Sequence, residues 1–381
     1  MRRVYWRPPR ISRSAIALIA LVAVAVLAAV ESLHVEQRQP WFDQKTEATQ
    51  LAREAYETIR AEKAKRGIIP DPEIDPAGSG MLGVTLSPVT SNTGYLSAKR
   101  ASVNPNFAAV VVHLLHQANV EEGDRVAVGT TGSFPALNIA TFAAMQTLRL
   151  EPIVVSSTAA SQFGANNVGL LWLDMERVLA EEGIFRFRSV AASRGGIDDR
   201  GFGMSEEGRQ MLDDTIRRNG LQRIDPASLA DAIEQRMRIY ERAAHGRPIK
   251  AYINIGGGSA SVGTHIGKKL FKPGLNLYPP REGGQVDSVM LRFSRNGVPV
   301  IHITRIATLV EKYDLDPAPT KMPPVGQSNV FVREGYNRWL AGAGIAAILL
   351  VMLAFLRFDV GQRILRGART PDRSKQPQQM V

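Results

Sequence analysis

Hydrophobic residues concentrate in two uncharged runs at opposite ends of the chain, and these runs predict two membrane-spanning helices. The first run is Ala15–Val30 and the second is Trp339–Leu356. At a rise of ~1.5 Å per residue, runs of this length reach across a hydrocarbon core of roughly 30 Å. The first run has an alternative interpretation as a cleaved signal peptide, because the small residues of Ala23-Val24-Ala25 and Ala28-Ala29-Val30 lie near a possible cleavage point.

The pattern between the two runs predicts a folded body with a helix in front of it. Apolar residues recur at helical spacing from Asp43 to Arg66, and Gly67 supplies a stop. This helix is either a stalk or an element packed on the body. Connectors rich in proline and glycine at 70–80 and 316–324 delimit the body. The predicted organisation is a basic tail 1–13, a span 14–30, a helical stalk and linker 31–80, an α/β domain 81–315, a linker 316–338, a span 339–356 and a basic tail 357–381.

Inside the body, segments with helical and strand patterns alternate. The predicted helices cover 104–119, 135–148, 172–182, 205–219 and 226–244, and the predicted strands cover 125–129, 152–156, 185–191 and 250–255. Two further strands, Val289–Phe293 and Val298–Ile303, are separated by Asn296-Gly297, a pair that favours a hairpin. This alternation predicts an α/β fold, a mostly parallel sheet with helices on both faces and an antiparallel edge, in addition to the two transmembrane helices.

The distribution of charge indicates an orientation in the membrane. The formal net charge is +11, and the two tails outside the apolar runs hold +9 of it, which leaves +2 for everything between them. Positive charge is retained on the cytoplasmic side, so we expect both termini inside and the main domain outside a bacterial cytoplasmic membrane. The high basicity is therefore an orientation signal, and nucleic acid is not expected as a partner.

Composition excludes several kinds of chemistry. The chain has no cysteine, which excludes disulfides, a thiol nucleophile and thiolate metal sites. His113 and His116 stand three residues apart on an apolar helix and could pair on a metal, but no third ligand is evident. Core or boundary positions are the commoner outcome for such histidines. We therefore predict neither a metal nor a cofactor.

Two glycine-bearing loops, each between a predicted strand and a helix, are the favoured places for a ligand. The first contains Gly129, Thr130, Thr131, Gly132 and Ser133, and the second contains Gly256, Gly257, Gly258 and Ser259. Free backbone N–H groups and hydroxyls at such junctions favour an anion, although an ordinary turn needs glycine as well. Neither loop is a P-loop or a nucleophile elbow, and the dinucleotide pattern fails because Ser261 stands where glycine is required.

Acidic residues are missing from two stretches of the body. No Asp or Glu occurs from Pro76 to Val120 or from Arg242 to Arg281. The basic residues predicted to bind a ligand are Lys99, Arg100, Lys268, Lys269 and Lys272. A surrounding without carboxylates suits a ligand rich in carboxylate or phosphate, whereas chance clustering of solvated lysines would give the same pattern.

A catalytic interpretation also has candidates. Ser133, Ser259 and Ser261 are possible nucleophiles, and His265 beside the second loop is the preferred general base. Asp174, Asp198 or Asp287 could orient that histidine. The spacing along the chain does not bring these groups together, so the constellation stays a hypothesis for the fold to test.

Three segments carry a resemblance to a known family. Thr93–Phe107, the Gly-Thr-Thr-Gly-Ser-Phe-Pro loop and Asn254–Ser259 resemble the family called poly-gamma-glutamate system protein, over nearly the whole chain. The resemblance implies a role in synthesis or export of the bacterial capsule polymer poly-γ-glutamate beside a membrane ligase complex, and it supplies no catalytic residue. The first hypothesis is therefore an accessory protein that binds the polymer or assembles its machinery. The alternatives are a serine-type hydrolase or transferase acting on γ-glutamyl bonds or envelope polymers, and a small-molecule sensor.

Overall fold

The computed structural model describes residues 13–264, 266–281 and 286–358. The helices in these residues are α1 (Arg13–Ser32), α2 (Phe42–Lys65), α3 (Leu96–Ser102), α4 (Phe107–Gln117), α5 (Pro135–Thr147), α6 (Trp172–Glu181), α7 (Glu206–Arg218), α8 (Leu229–Ala243), α9 (Ser259–Val262), α10 (Gly267–Leu270), α11 (Val289–Arg295), α12 (Ile306–Tyr313) and α13 (Arg338–Phe358). The strands are β1 (His34–Arg38), β2 (Arg125–Thr131), β3 (Glu151–Ser157), β4 (Ser189–Ser193), β5 (Gln222–Ile224), β6 (Ile249–Ile255), β7 (Gly274–Asn276), β8 (Val300–Ile303) and β9 (Val332–Tyr336).

The chain forms two compact units, and the terminal one contains both predicted spans. This unit holds the described residues up to Gln37 and from Arg333 onward. Its helices α1 and α13 are long and apolar enough to cross a membrane, judged by length and composition. They pack closely, since a Cβ on Gly344 would overlap Val26. Strands β1 and β9 pair in a small two-stranded sheet.

The central unit, residues 38–332, is built on a seven-stranded sheet. Its strand order is β5-β4-β3-β2-β6-β8-β7, and every neighbouring pair is parallel except β7 with β8. The chain first builds outward from β2 through β3, β4 and β5, and then returns to the other side of β2 with β6. The order of the strands therefore reverses between β2 and β6, and ligands of open α/β sheets bind at the carboxyl ends of strands at such a point.

Helices cover both faces of this sheet, as predicted. Alternate residues of one strand belong to different cores: Val126 and Val128 pack in one hydrophobic cluster and Ala127 in the other. The first cluster includes residues of α2, α4, α5 and α6, and the second includes residues of α8, α9 and α11. The α/β class with a mostly parallel sheet is thus confirmed.

Helix α2 is part of the central unit, and the prediction of a stalk was wrong. Its residues Ala48, Ala52, Ala55 and Ile59 are fully buried in the first cluster, and Tyr56 donates a hydrogen bond of 3.0 Å to the carbonyl of Ala136. A stalk would leave this face in water. The apolar face identified in the sequence is instead buried, because α2 packs on α4 and α5.

The predicted hairpin at 289–303 was also wrong. Val289–Arg295 is helix α11, whose first turn is capped by Ser288 Oγ, which accepts a hydrogen bond of 3.1 Å from the N–H of Leu291. Asn296 and Gly297 end this helix, with Gly297 at a φ of 76°. Strand β8 then runs parallel to β6, and the antiparallel edge comes from the short strand β7.

Candidate functional site

The two glycine loops meet at the carboxyl ends of β2 and β6, where the strand order reverses. Gly256 follows β6 with a φ of 85°, a left-handed conformation that favours glycine. A Cβ at Gly256 would lie 3.0 Å from Thr131 Oγ1, and one at Gly258 would lie 3.3 Å from Thr131 Cγ2. The loops are therefore in contact, and Gly257 is the one glycine of the two loops that is exposed at this edge.

Hydroxyl groups surround Gly258. A Cβ at this position would lie 3.9 Å from both Ser157 Oγ, at the end of β3, and Ser261 Oγ, in α9. Ser261 Oγ accepts a hydrogen bond of 3.2 Å from the buried hydroxyl of Tyr252. Ser259 Oγ donates a bond of 2.9 Å to the carbonyl of Gly196. The second loop is thus fixed by two of its own serines and bordered by hydroxyls.

Only part of the first predicted loop is a loop. Gly129 and Thr130 belong to strand β2, which extends to Thr131, and both lie inside the protein. A Cβ on Gly129 would overlap the Tyr252 hydroxyl, and Thr130 Oγ1 hydrogen-bonds to Ser156 Oγ. These two residues serve packing. Both are buried within β2, which continues two residues beyond the predicted strand end at Gly129, and a ligand-binding role for them stays a prediction.

Gly132 and Ser133 form the turn that follows β2. The N–H of Gly132 donates a hydrogen bond of 3.1 Å to the carbonyl of Ser157, and Ser133 Oγ accepts one of 3.0 Å from the N–H of Ser161. The turn after β2 is therefore joined to the loop after β3. No side chain caps the first turn of α5, which begins at Pro135 directly after this turn.

Lys99 points into the protein at this turn. Its side chain is buried, and Nζ donates hydrogen bonds to the carbonyl of Ser133 and, at 2.8 Å, to Ser161 Oγ. Nζ also lies 4.2 Å from the centre of the Phe134 ring. Burial lowers the pKa of Lys99 to about 7. Lys99 was predicted to bind the polymer at the surface, and its burial keeps a solvated polymer from reaching it.

Arg100, the neighbour of Lys99, does not face the site. Its guanidinium donates to the carbonyls of Glu73 and, at 3.2 Å, of Ile74, both in the proline-rich connector. The sequence predicted ligand binding, whereas the side chain fastens the connector to α3. Adjacent residues on a helix point in different directions, so the run of two basic residues does not act as one patch.

The three remaining lysines lie on the surface after the second loop. Lys268 and Lys269 belong to α10, and Lys272 follows it. A Cβ on Gly257 would lie 3.6 Å from Lys268 Cε, which places this lysine beside the triple glycine. Within residues 13–264, 266–281 and 286–358, no carboxylate lies within 4.0 Å of these three amino groups.

A buried ion pair beneath this edge was missed in the sequence. Arg236 and Asp199 are both fully buried, and Arg236 Nε donates a hydrogen bond of 2.9 Å to Asp199 Oδ2. Arg236 Nη2 also donates to Ser157 Oγ at 2.9 Å and to Ser193 Oγ at 2.8 Å. The pair thus holds hydroxyls at the ends of β3 and β4. The run Ser156-Ser157-Thr158 at the carboxyl end of a strand was the available signal.

The predicted catalytic constellation is not assembled in the described part of the chain. Asp174 is bound by Arg218 at 2.5 Å and Asp287 by Arg292 at 2.7 Å. Asp198 lies in a loop with a φ of 53°. His265 lies outside the described residues. The three candidate serines have the partners given above, and none of these partners is a histidine.

The two histidines of α4 lie in an aromatic cluster elsewhere in the central unit. His116 stacks on Trp41 with ring centres 4.3 Å apart, and its Nε2 lies 2.8 Å from Gln44 Oε1. His113 packs edge-on against Tyr313, and burial lowers its pKa to about 4. Among the described residues no third metal-ligating side chain joins them.

Comparisons of the chain with protein-family models, curated proteins and solved structures find no match.

Proposed function

We propose that the protein is a membrane-anchored accessory protein of poly-γ-glutamate synthesis or export, whose central unit binds the polymer where β2 and β6 end. The convergence of the two glycine loops at the reversal of strand order carries this proposal. Sequence placed these loops more than a hundred residues apart, and they lie in contact around Thr131. Such a position presents backbone N–H groups and hydroxyls to an anion.

Charge favours a polymer over a small neutral ligand. Lys268 lies beside Gly257, and Lys269 and Lys272 continue the basic surface without a carboxylate partner among the described residues. Poly-γ-glutamate carries one carboxylate per residue, so a chain of it can contact several exposed lysines at once. Electrostatic complementarity of this kind speeds encounter and weakens as salt rises.

The proposed topology rests on α1 and α13 and on the arginine-rich tails outside them. With the tails in the cytoplasm, the central unit lies outside the cytoplasmic membrane, on the side to which the polymer is exported. The ligase and exporter that handle the polymer are then the expected membrane partners.

The test is binding of poly-γ-glutamate to the full chain in detergent at several salt concentrations. We expect the affinity to fall as salt rises and the polymer to keep its length. Lys268→Glu with Lys269→Glu should weaken binding at least tenfold, or about 1.4 kcal/mol. The matched control is Arg242→Glu with Lys250→Glu, which changes the net charge equally in the same acid-free stretch. Arg242 ends α8 and Lys250 starts β6, so both lie at the opposite edge of the sheet.

Three results would contradict the proposal. Equal weakening by both double variants would mean that net charge binds the polymer without a site. Unchanged binding in both would remove the role of Lys268 and Lys269. Shortening of the polymer by the wild-type protein would favour the hydrolase instead.

A further inference from the structure

Lys99 and Ser161 form a buried pair in which a lysine amine contacts a serine hydroxyl. Nζ of Lys99 lies 2.8 Å from Ser161 Oγ, and its other partners are one carbonyl and the face of the Phe134 ring. Ser161 is 6% exposed and Lys99 1% exposed. The serine is therefore the member of the pair closer to solvent, with the lysine behind it.

Among the described residues no carboxylate lies within 4.0 Å of the lysine amino group, and Glu311 and Lys312 of α12, which packs on α3, are exposed. The segments that pack on its amino group are the turn after β2 with the start of α5, residues 129–138, and the loop after β3, residues 156–165. Neither segment contains Asp, Glu, Lys, Arg or His. On α3 itself the one other charged residue is Arg100, which is turned to the connector carbonyls. Nothing in these elements stabilises an ammonium ion by opposite charge.

We propose that Ser161 and Lys99 form a nucleophile–base pair that accepts an acyl group from an ester or amide. This activity is independent of polymer binding, because it uses neither Lys268 nor Lys269. A hydroxyl becomes a useful nucleophile when an adjacent base takes its proton, and an uncharged lysine amine is such a base in serine–lysine pairs. A pKa of about 7 leaves a large fraction of Lys99 uncharged at neutral pH.

The steps balance without a co-reactant other than water. Ser161 Oγ attacks the acyl carbon while its proton moves to Lys99 Nζ. The tetrahedral intermediate collapses, the bond to the leaving oxygen or nitrogen breaks, and that atom takes the proton from Nζ. Water then attacks the acyl-serine, giving its proton to Nζ, and Ser161 Oγ leaves with that proton.

The first experiment mixes the full chain in detergent with p-nitrophenyl acetate and follows nitrophenolate and protein mass. We expect a burst of up to one equivalent, an acetyl group on Ser161, and a burst rate that rises with pH through about 7. Ser161→Ala should abolish the burst, and Lys99→Met should slow it by roughly a hundredfold or more. Ser294→Ala is the matched control. It removes a buried hydroxyl that has no hydrogen-bond partner among the described residues, and it should leave the burst unchanged.

The second experiment uses the absence of cysteine from the chain. Ser161→Cys creates a single thiol beside Lys99, and Ser294→Cys creates a single buried thiol where the native hydroxyl has no hydrogen-bond partner among the described residues. Next to a cation a thiol ionises below its ordinary pKa of about 8.5. We expect iodoacetamide to modify Ser161→Cys faster at pH 7 than Ser294→Cys, and Lys99→Met to slow that reaction.

Either of two outcomes overturns the inference. An acetyl group found on the amine of Lys99, with the burst intact in Ser161→Ala, would make the lysine itself the nucleophile. A thiol in Ser161→Cys that reacts only after denaturation would mean that the pair is sealed inside the fold. Both outcomes leave the polymer-binding test unaffected.

Discussion

The amino and carboxyl ends of the central strands differ in whether their basic side chains are paired with carboxylates. At the amino end, Arg125 and Arg247 share the carboxylate of Glu151 at 3.0 Å and 2.7 Å. At the carboxyl end, Lys99 and Lys268 lie beside glycine loops, with no carboxylate within 4.0 Å in the described residues. The two arginines at the amino edge thus share a carboxylate, whereas these two lysines at the carboxyl edge have no carboxylate partner among the described residues.

This difference separates charges that hold the fold from charges open to a ligand. Exposed pairs such as those of Glu151 contribute little to stability, because water already solvates both partners. Cations without partners are tolerated at the surface, as for Lys268, and disfavoured when buried, as for Lys99. Neither the exposed Lys268 nor the buried Lys99 stabilises the fold through an ion pair at this edge. This lack of a stabilising role supports the proposal that the carboxyl edge binds a ligand.

The largest expected effect comes from the fully buried ion pair between Asp199 and Arg236 beneath the carboxyl edge. Asp199→Asn should lower the free energy of unfolding by about 3–5 kcal/mol, because it leaves Arg236 buried without its counter-charge. Asn tolerates the φ of 63° at this position, so the change isolates charge from backbone strain. Urea unfolding of the full chain in detergent, followed by the fluorescence of buried Trp172, measures the loss.

The control for this variant adds Arg236→Met to Asp199→Asn. Removing both charges should recover part of the stability, because no uncompensated ion then remains. A loss below about 1 kcal/mol for Asp199→Asn alone would show that the buried pair does not differ in kind from the exposed pairs at the amino edge.

A smaller effect is expected from the pH dependence of stability. The pKa of Lys99 is about 7 in the folded protein against an ordinary value of 10.5, so between these pH values the unfolded chain binds more protons. Stability therefore rises with pH in this window and is lost as pH falls through 7. Lys45 and Lys63, whose pKa burial lowers to about 8, add to this slope towards pH 8, so the share that belongs to Lys99 is obtained by comparison with a variant.

Lys99→Met should reduce this slope by up to about 1.4 kcal/mol per pH unit. The measurement is urea unfolding of both proteins at pH 7.0, 7.5 and 8.0. Parallel slopes in the two proteins would mean that Lys99 stays charged when folded, which would also remove the base from the acyl-transfer inference.

Sequence patterns predicted the fold well where a segment had one strong period. The helices at 135–148 and 172–182 and the strand at 250–255 agree with α5, α6 and β6 within a few residues. Asn296-Gly297 failed because the same dipeptide ends helices and turns hairpins, and only the packing of Val289 and Phe293 in the second cluster distinguishes the two. Short elements such as β5 and β7 have too few residues to show a period.

The sequence located the two loops of the candidate site, whereas it did not show which side chains face it. Glycines mark loops, so both loops were found, and the strand order that joins them is a property of the whole sheet. Burial decided the rest: Lys99 and Arg100 are neighbours in sequence, yet one faces the core and the other the connector. The pairing of Arg236 with Asp199 links positions 37 residues apart, and its one signal in the sequence was the run Ser156-Ser157-Thr158.

The smallest expected effect on stability and on polymer binding is that of a substitution at the amino edge. Glu151→Gln removes the carboxylate shared by Arg125 and Arg247, and two hydrogen bonds from arginine lower the pKa of this glutamate. Glu151 and Arg247 are exposed, and the less exposed Arg125 keeps its hydrogen bonds to the carbonyls of Ala243 and Ala244, so the urea midpoint should stay within error of the wild type at pH 7. Polymer binding should also stay unchanged, although the variant frees two arginines. Binding that strengthened in Glu151→Gln would show that an unpaired cation at either edge suffices, and the distinction between the two edges would fail.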